Sequence, residues 1–245
     1  MRDDTVVFII THARANEQLT LNMLRKTQYS GKIFLVVDDQ DPELELYKEK
    51  YKDMVLVFSK EQYWKTTDTF TNQKNLKGAV YARNACADLA REKGFKYFFT
   101  LDDDLQSLMY KIPEMTRKKL ITKRVKRSER IIDGIVEWLE KAEQIKAIAL
   151  PTDGRFMGGV NNDVLNGIKY NIVKFCCYRT DSPYRYKSIV YEDMATPNEG
   201  YQRGEIAFSF MAVAHHAKEK KNGQTGGAQS CTASLMSTLI ISSAC

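Results

Sequence analysis

Histidine is scarce in this chain: its 245 residues include only His12, His215 and His216. Five cysteines are present (Cys86, Cys176, Cys177, Cys231 and Cys245), and no pair has C-x-x-C spacing, so a zinc site of Cys and His ligands has little to draw on. An odd number of thiols also argues against a disulfide framework. No apolar stretch approaches the roughly 20 residues that span a bilayer, and residues 1–10 carry no h-region of a secretory signal. These absences point to a reducing, cytoplasmic compartment and to no membrane. Both glycine-rich phosphate loops, G-x-x-x-x-G-K-S/T and G-x-G-x-x-G, are missing as well, so any phosphate chemistry must rest on other groups.

What is present reads as a folded domain. Hydrophobic residues make up 43% and charged residues 28%, too apolar for a disordered chain. Thr5–Ile10, Ile33–Val37, Met54–Phe58 and Tyr97–Leu101 are short apolar, β-branched and aromatic runs, the pattern of strands covered on both faces. Helical stripes lie between them at Asn16–Gln28, Glu43–Lys52 (after Pro42) and Leu76–Lys93, the last stopped by Gly94. This alternation predicts an α/β fold with a doubly wound, mostly parallel sheet. Ser128–Glu143 follows as an amphipathic helix and Ile145–Leu150 as a strand. The second half is less regular, with strands expected at Ile172–Tyr178, Lys187–Tyr191 and Ile206–Val213. Residues 222–245 carry no charge, which fits either a packed C-terminal element or an unnatural end.

In such a sheet ligands bind beyond the carboxyl ends of the strands. Strand one ends in Thr11-His12-Ala13-Arg14, strand two in Asp38-Asp39-Gln40-Asp41, and strand four in Asp102-Asp103-Asp104. Three adjacent aspartates repel one another unless a cation holds them, and a hard divalent metal with oxygen ligands answers that need. Such an ion completes its shell with water and substrate phosphates. The plainer alternative is a solvated turn that caps a following helix; the position after a buried-type strand favours the metal.

Asn75-Leu-Lys-Gly78, Ala82-Arg83-Asn84 and Phe99-Thr-Leu-Asp102-Asp103-Asp104 together resemble nucleotide-sugar glycosyltransferases of the GT-A fold, in the family 2 pattern. Val36-Val-Asp38-Asp39 is similar to that family's V-D-D segment, and Tyr191-Glu192-Asp193 to its E-D motif. Within the fold the chain looks most like the TET-associated glycosyltransferases of bacteriophages, which act on hydroxymethylated pyrimidines in DNA. The resemblance implies one domain over 1–221, with 1–104 the nucleotide-sugar half and 105–221 the acceptor half, working in a host cytoplasm if phage-encoded. It implies that Thr11 and Asp39 contact the nucleoside of a UDP-sugar and that Arg83 reaches the base or diphosphate. Asp102 and Asp104 would hold Mg²⁺ or Mn²⁺, with Asp103 near the ribose, in a register uncertain by one. A histidine near the C-terminus, His215 or His216, is an additional ligand or an ordinary strand-end residue. Asp193, with Glu192 in reserve, would be the general base of an inverting transfer; the alternative is a surface turn before Pro197.

Charge is concentrated rather than spread. Arg117–Arg130 holds eight bases and one acid, a net +7 against +6 for the whole chain. Arg117, Lys118, Lys119, Lys123, Arg124, Lys126 and Arg127 are therefore candidate contacts to the phosphates of a DNA acceptor. A solvated helix face or loop is the ordinary alternative. Phe156, Tyr170, Tyr178, Tyr184 and Tyr186 either stack on an acceptor or fill the core, and Gly158–Asn162 reads as an acceptor-side loop. Three functions stay open: sugar transfer to modified DNA, the same chemistry on a glycan, lipid or protein, and non-catalytic nucleic-acid binding. The oligomeric state is not legible.

Overall fold

The computed structural model describes residues 2–69, 74–114, 116, 119–156, 174–189 and 191–218. Arg117, Lys118, the 158–162 loop, Tyr170 and the 222–245 segment lie outside the described residues.

The chain runs β1 (Thr5–Thr11), α1 (Leu19–Lys26), β2 (Lys32–Asp38), α2 (Leu44–Tyr51), β3 (Val55–Phe58), α3 (Val80–Glu92) and β4 (Tyr97–Asp102). Then come β5 (Leu105–Glu114), β6 (Lys119–Arg124), α4 (Ser128–Lys141), β7 (Ile145–Ala149), β8 (Phe175–Arg179), α5 (Glu192–Gln202), β9 (Ile206–Ser209) and β10 (Val213–Ala217). Seven strands form the main sheet in the order β3-β2-β1-β4-β8-β7-β9. All its pairs are parallel except those of β8, which runs antiparallel to both β4 and β7.

β1 shows why the sheet has two cores. Every residue of it is buried, and strand alternation sends Val7 and Ile9 to one face and Val6, Phe8 and Ile10 to the other. The first face packs on α1, α2 and α4, through Leu21, Leu24, Tyr47, Ile132, Ile135, Val136 and Leu139. The second takes α3, whose inner side is small: Ala82, Ala85, Cys86, Ala87 and Ala90 bring the helix close to the strands. Gly94, at φ 76°, ends α3, and the Phe95 N–H returns to the Ala90 carbonyl at 3.0 Å, the expected stop. Cys86, Cys176 and Cys177 are buried free thiols, and no described helix is long and apolar enough to cross a membrane.

A second sheet, β10-β5-β6, is antiparallel throughout and springs directly from the end of β4. Two sequence expectations change here, and the plainer alternative for Asp102–Asp104, a turn capping a helix, falls because a strand follows it. The run Ile206–Val213 is two strands in different sheets: the Phe210 N–H still bonds Ala149, and by Ala212 the carbonyl bonds Lys111. Both pieces are apolar, so the sequence shows no break between them. Lys187–Tyr191 forms no strand among its described residues; its strand-like pairing there is an isolated bridge between Asp68 and Ser188.

Candidate active site

β4 carries Asp102 to the rim of the sheet, and the chain turns through Asp103 and Asp104 into β5. That turn is pinned at each residue. The Asp102 N–H donates to the Lys174 carbonyl at 2.9 Å, the Thr20 N–H to the Asp103 carbonyl at 3.2 Å, and the Lys218 N–H to the Asp104 carbonyl at 2.8 Å. Thr20 adds its hydroxyl, donated to the Asp102 carbonyl and accepting from the Leu105 N–H.

Each aspartate meets a different cation. Arg83 from α3 lies 3.4 Å from Asp102, Arg14 from the loop after β1 lies 2.6 Å from Asp103, and Lys174 just before β8 lies 2.7 Å from Asp104. This corrects one step of the sequence argument. Repulsion among the three carboxylates is answered within the chain, so it does not by itself require a metal. A different set of atoms suits one: among the described residues Asp104 Oδ1 is buried without a hydrogen-bond partner, and the His215 ring nitrogens make no well-formed bond, with only a loose approach to the Leu150 backbone, where buried polar atoms normally find a partner. No three His, Cys, Asp or Glu side chains converge as a ready-made metal cluster among the described residues. An ion here would need further oxygens from phosphate and water.

Strand alternation separates the two histidines. His215 pairs with Leu108 and His216 with Ser107 on β5, so their rings take opposite faces. The His215 ring is fully buried, in reach of the charges on Lys174, Asp104 and Asp153. Burial, helped by the Lys174 ammonium, pushes it down to about 4, so it is neutral at pH 7.

Thr11 closes β1 and donates to Asp103 Oδ2 at 2.8 Å. Its single proton being spent there, Tyr47 is the donor in the 2.7 Å contact between their hydroxyls, and Gln18 Nε2 donates at 2.9 Å. Burial pushes Asp103 up to about 6 in spite of Arg14 and Thr11. Burial also raises Asp102, against the pull of Arg83 and Lys174. At the end of β2, Asp38 is buried and paired with Lys60 at 2.7 Å, and Asp41 is buried against His12 and the N–H groups of Ala13 and Glu43. Of the three aspartates at that strand end only Asp39 is open to solvent, with Gln40 exposed beside it.

Arg83 joins the two halves of the site. Its side chain is 5% exposed, its Nη1 lies 2.7 Å from Glu192 and its Nη2 faces Asp102. The fork is thus committed to two carboxylates, with the Tyr186 ring 5.6 Å away. Burial pushes the Cys176 thiol up to about 12, and Asp102 and Asp193 both add to the rise, which places both carboxylates near one residue of β8. Glu192 and Asp193 form the first turn of α5, where the helix dipole favours them, and not a surface turn; Pro197 sits inside that helix. Asp193 is half-buried. Just before them Tyr191 takes a left-handed φ of 55° and is 70% exposed. Phe156, Tyr178, Tyr184 and Tyr186 prove to be buried core aromatics, the three tyrosines packed as one cluster.

The basic run is neither helix nor loop over Lys119–Arg124 but strand β6, the edge of the second sheet. Lys119, Lys123, Arg124, Lys126 and Arg127 are exposed. Lysines on an edge strand also block edge-to-edge pairing, which gives them a structural use.

A profile of the TET-Associated Glycosyltransferase family matches residues 5–227. The chain belongs to that family. It is a glycosyltransferase, and its fold is that of the GT-A enzymes. Glucosyl-3-phosphoglycerate synthase from Mycobacterium tuberculosis, solved with Mg²⁺ and UDP, superposes with a TM-score of 0.53 at 10% identity, over 95% of this chain and 78% of that one. The mannosyltransferase PcManGT from Pyrobaculum calidifontis, solved with GDP-Man and Mn²⁺, gives 0.52 at 12% identity, over 91% of this chain and 59% of that one. TarS from S. aureus gives 0.50 at 14% identity, over 88% and 36%. No curated protein sequence matches the chain.

Several residues of this glycosyltransferase's site escape a sequence reading. Arg14 stands three positions past Thr11, at a strand end already suspected, and its charge was the available signal. Asn84 is visible in the Ala82-Arg83-Asn84 motif, but its task is not: it holds the chain before α5 by a reciprocal pair, its Nδ2 donating to the Tyr186 carbonyl at 2.8 Å and its Oδ1 accepting from the Tyr186 N–H at 3.0 Å. Lys174 stands immediately before β8, and no local pattern marks it.

Proposed function

We propose that this glycosyltransferase moves a sugar from a nucleoside diphosphate, UDP first among them, to the hydroxyl of a hydroxymethylated pyrimidine in DNA, with inversion at the anomeric carbon. The observation that carries the reading is the Arg83 bridge. It ties Asp102, at the strand end where donor phosphates belong, to Glu192, beside the only carboxylate of the pair left without a charged partner among the described residues. A group that takes a proton must be free to do so. Asp193 meets that condition and Glu192, held by Arg83, does not.

The chemistry then follows from the residues. Thr11 and Arg14 hold Asp103 in one orientation beside the crevice where a nucleoside would lie, with Asp39 open at the next strand end. Asp102, Asp104 and His215 would hold Mg²⁺ or Mn²⁺, and the unpartnered Asp104 Oδ1 and the loosely held His215 ring fit that use. Such an ion supplies Lewis-acid stabilisation of the negative charge on a departing diphosphate. Asp193 accepts the proton of the acceptor hydroxyl as its oxygen bonds the anomeric carbon from the face opposite the leaving diphosphate. The bond to the diphosphate breaks in the same displacement, through an oxocarbenium-like state. Tyr191 and Met194, 70% and 56% exposed on either side of the Glu192–Asp193 pair, give a planar base an apolar surface to rest on. The β6 edge offers positive charge to a polyanion.

Transfer of radiolabel from a panel of nucleotide sugars, with Mn²⁺, to hydroxymethylated and to plain DNA tests this. Label on hydroxymethylated DNA alone is the expected result. Donor hydrolysis without transfer to either DNA would move the acceptor to a glycan or protein, and no turnover of any donor would sink the enzymatic reading.

A further inference from the structure

The three cations that hold the aspartates are not alike. Arg83 is buried and shared between two carboxylates, and Arg14 shares Asp103 with Thr11. Among the described residues Lys174 has one side-chain partner, Asp104, and it remains partly exposed. Its charge is also felt by Asp102 and by His215. One ammonium therefore stands among the three groups assigned above to a divalent ion. Its attachment is stiff and its head is not. The backbone of Lys174 is left-handed, φ 59°, and its carbonyl is tied to the Asp102 N–H. A non-glycine residue holds that conformation only when its surroundings insist. From that fixed point runs a flexible four-carbon stem.

We infer that Lys174 is a diphosphate-binding residue of the donor site, stored on Asp104 until a divalent ion takes that carboxylate. The inference rests on the donor reading above. Lys174 holds Asp104 Oδ2 and leaves Oδ1 unpartnered among the described residues; a divalent ion on that Oδ1 would share one carboxylate with the ammonium, and like charges so close repel. Once displaced, the ammonium needs an anion. The phosphate oxygens that complete the ion's shell arrive at the same place, and there Lys174 neutralises charge on the nucleoside diphosphate.

Two affinities test this without any turnover. Mn²⁺ binding to the full chain is followed by electron paramagnetic resonance without nucleotide, and UDP binding by calorimetry at saturating Mn²⁺. In Lys174→Met the first tightens by about two- to fivefold, the worth of a partly exposed ion pair. The second weakens by about tenfold or more, the worth of a hydrogen bond to a charged group. Lys174→Gln is measured beside it in case Met does not fold, with both shifts expected in the same directions. Lys174→Arg recovers most of the UDP affinity. Shifts of opposite sign support the inference; Mn²⁺ binding that is unchanged or weaker, or UDP binding that is unchanged, overturns it. A wild-type chain that binds neither Mn²⁺ nor UDP overturns the donor reading itself, and this inference with it.

Discussion

Arg83 Nη1 lies 2.7 Å from Glu192 Oε1, a contact across 109 positions of sequence. It joins a helix that precedes the aspartate strand to a helix that follows it by some ninety residues, through a guanidinium with almost no exposure. Burial alone would lower Arg83, but Asp102, Tyr186 and Glu192 outweigh it and keep the group charged. The bridge is therefore a fold contact, and in the proposed transfer it also sets the distance between donor end and base.

Removal of that guanidinium leaves two half-buried carboxylates without a counter-charge. Arg83→Ala is expected to cost about 3–5 kcal/mol of stability, as breaking a buried pair does. Arg83→Lys keeps the charge but cannot span both partners, so it should fold and lose transfer activity with donor binding largely kept. Urea melts beside donor-binding titrations separate these effects; a fully active Arg83→Lys enzyme would refute the bridging role.

Asp193 and Glu192 are expected to behave differently. Asp193→Asn should lower kcat for transfer by about 10²–10⁴-fold, the usual worth of a general base, with UDP-sugar affinity intact. Glu192→Gln should act mainly through Arg83, with a smaller loss of rate and a lower unfolding midpoint. If the larger kinetic loss falls on Glu192, the assignment of the base is reversed.

His215 gives a pH test in the metal-free protein. Its folded value is depressed to about 4 from 6.5, so between these values the unfolded chain binds the proton and the folded chain does not. Its neutral form is fully compatible with folding above 6.5, and stability is lost as pH falls from 6.5 towards 4. Relative to His215→Leu, wild type should be flat above pH 7 and decline below 6.5, by at most about 3 kcal/mol. Asp103, raised to about 6, contributes the opposite slope over much of this range, and the difference between the two proteins cancels it. A difference that does not vary between pH 4 and 7 would show that the ring is not buried neutral.

The edge strand predicts a salt effect. Reversing Lys123, Arg124, Lys126 and Arg127 to Glu should weaken binding to any duplex about equally and lower the slope of log K against log salt by about 1 per lost phosphate contact. A slope equal to that of wild type would leave these charges only the task of protecting the sheet edge.

Much of the frame is legible along the chain. Thr5–Ile10, Ile33–Val37 and Tyr97–Leu101 announce themselves because strands buried on both faces must be continuously apolar, and each lies inside an observed strand; Gly94 stops α3 because it can take φ 76°. The aspartates at the end of β4 and the Glu192–Asp193 pair are also visible, as residue types at the ends of such elements. Local sequence cannot say who pairs with whom. The three cations on Asp102, Asp103 and Asp104 come from α3, the loop after β1 and the segment before β8, and electrostatic pairing acts through space with no period to betray it. The split of Ile206–Val213 between two sheets, the face taken by His215, and the commitment of Glu192 but not Asp193 to Arg83 have the same origin. Composition and periodicity determine which segments become strands and helices because burial acts residue by residue; only the packed chain decides the charge partners, because each depends on two distant segments arriving at one place.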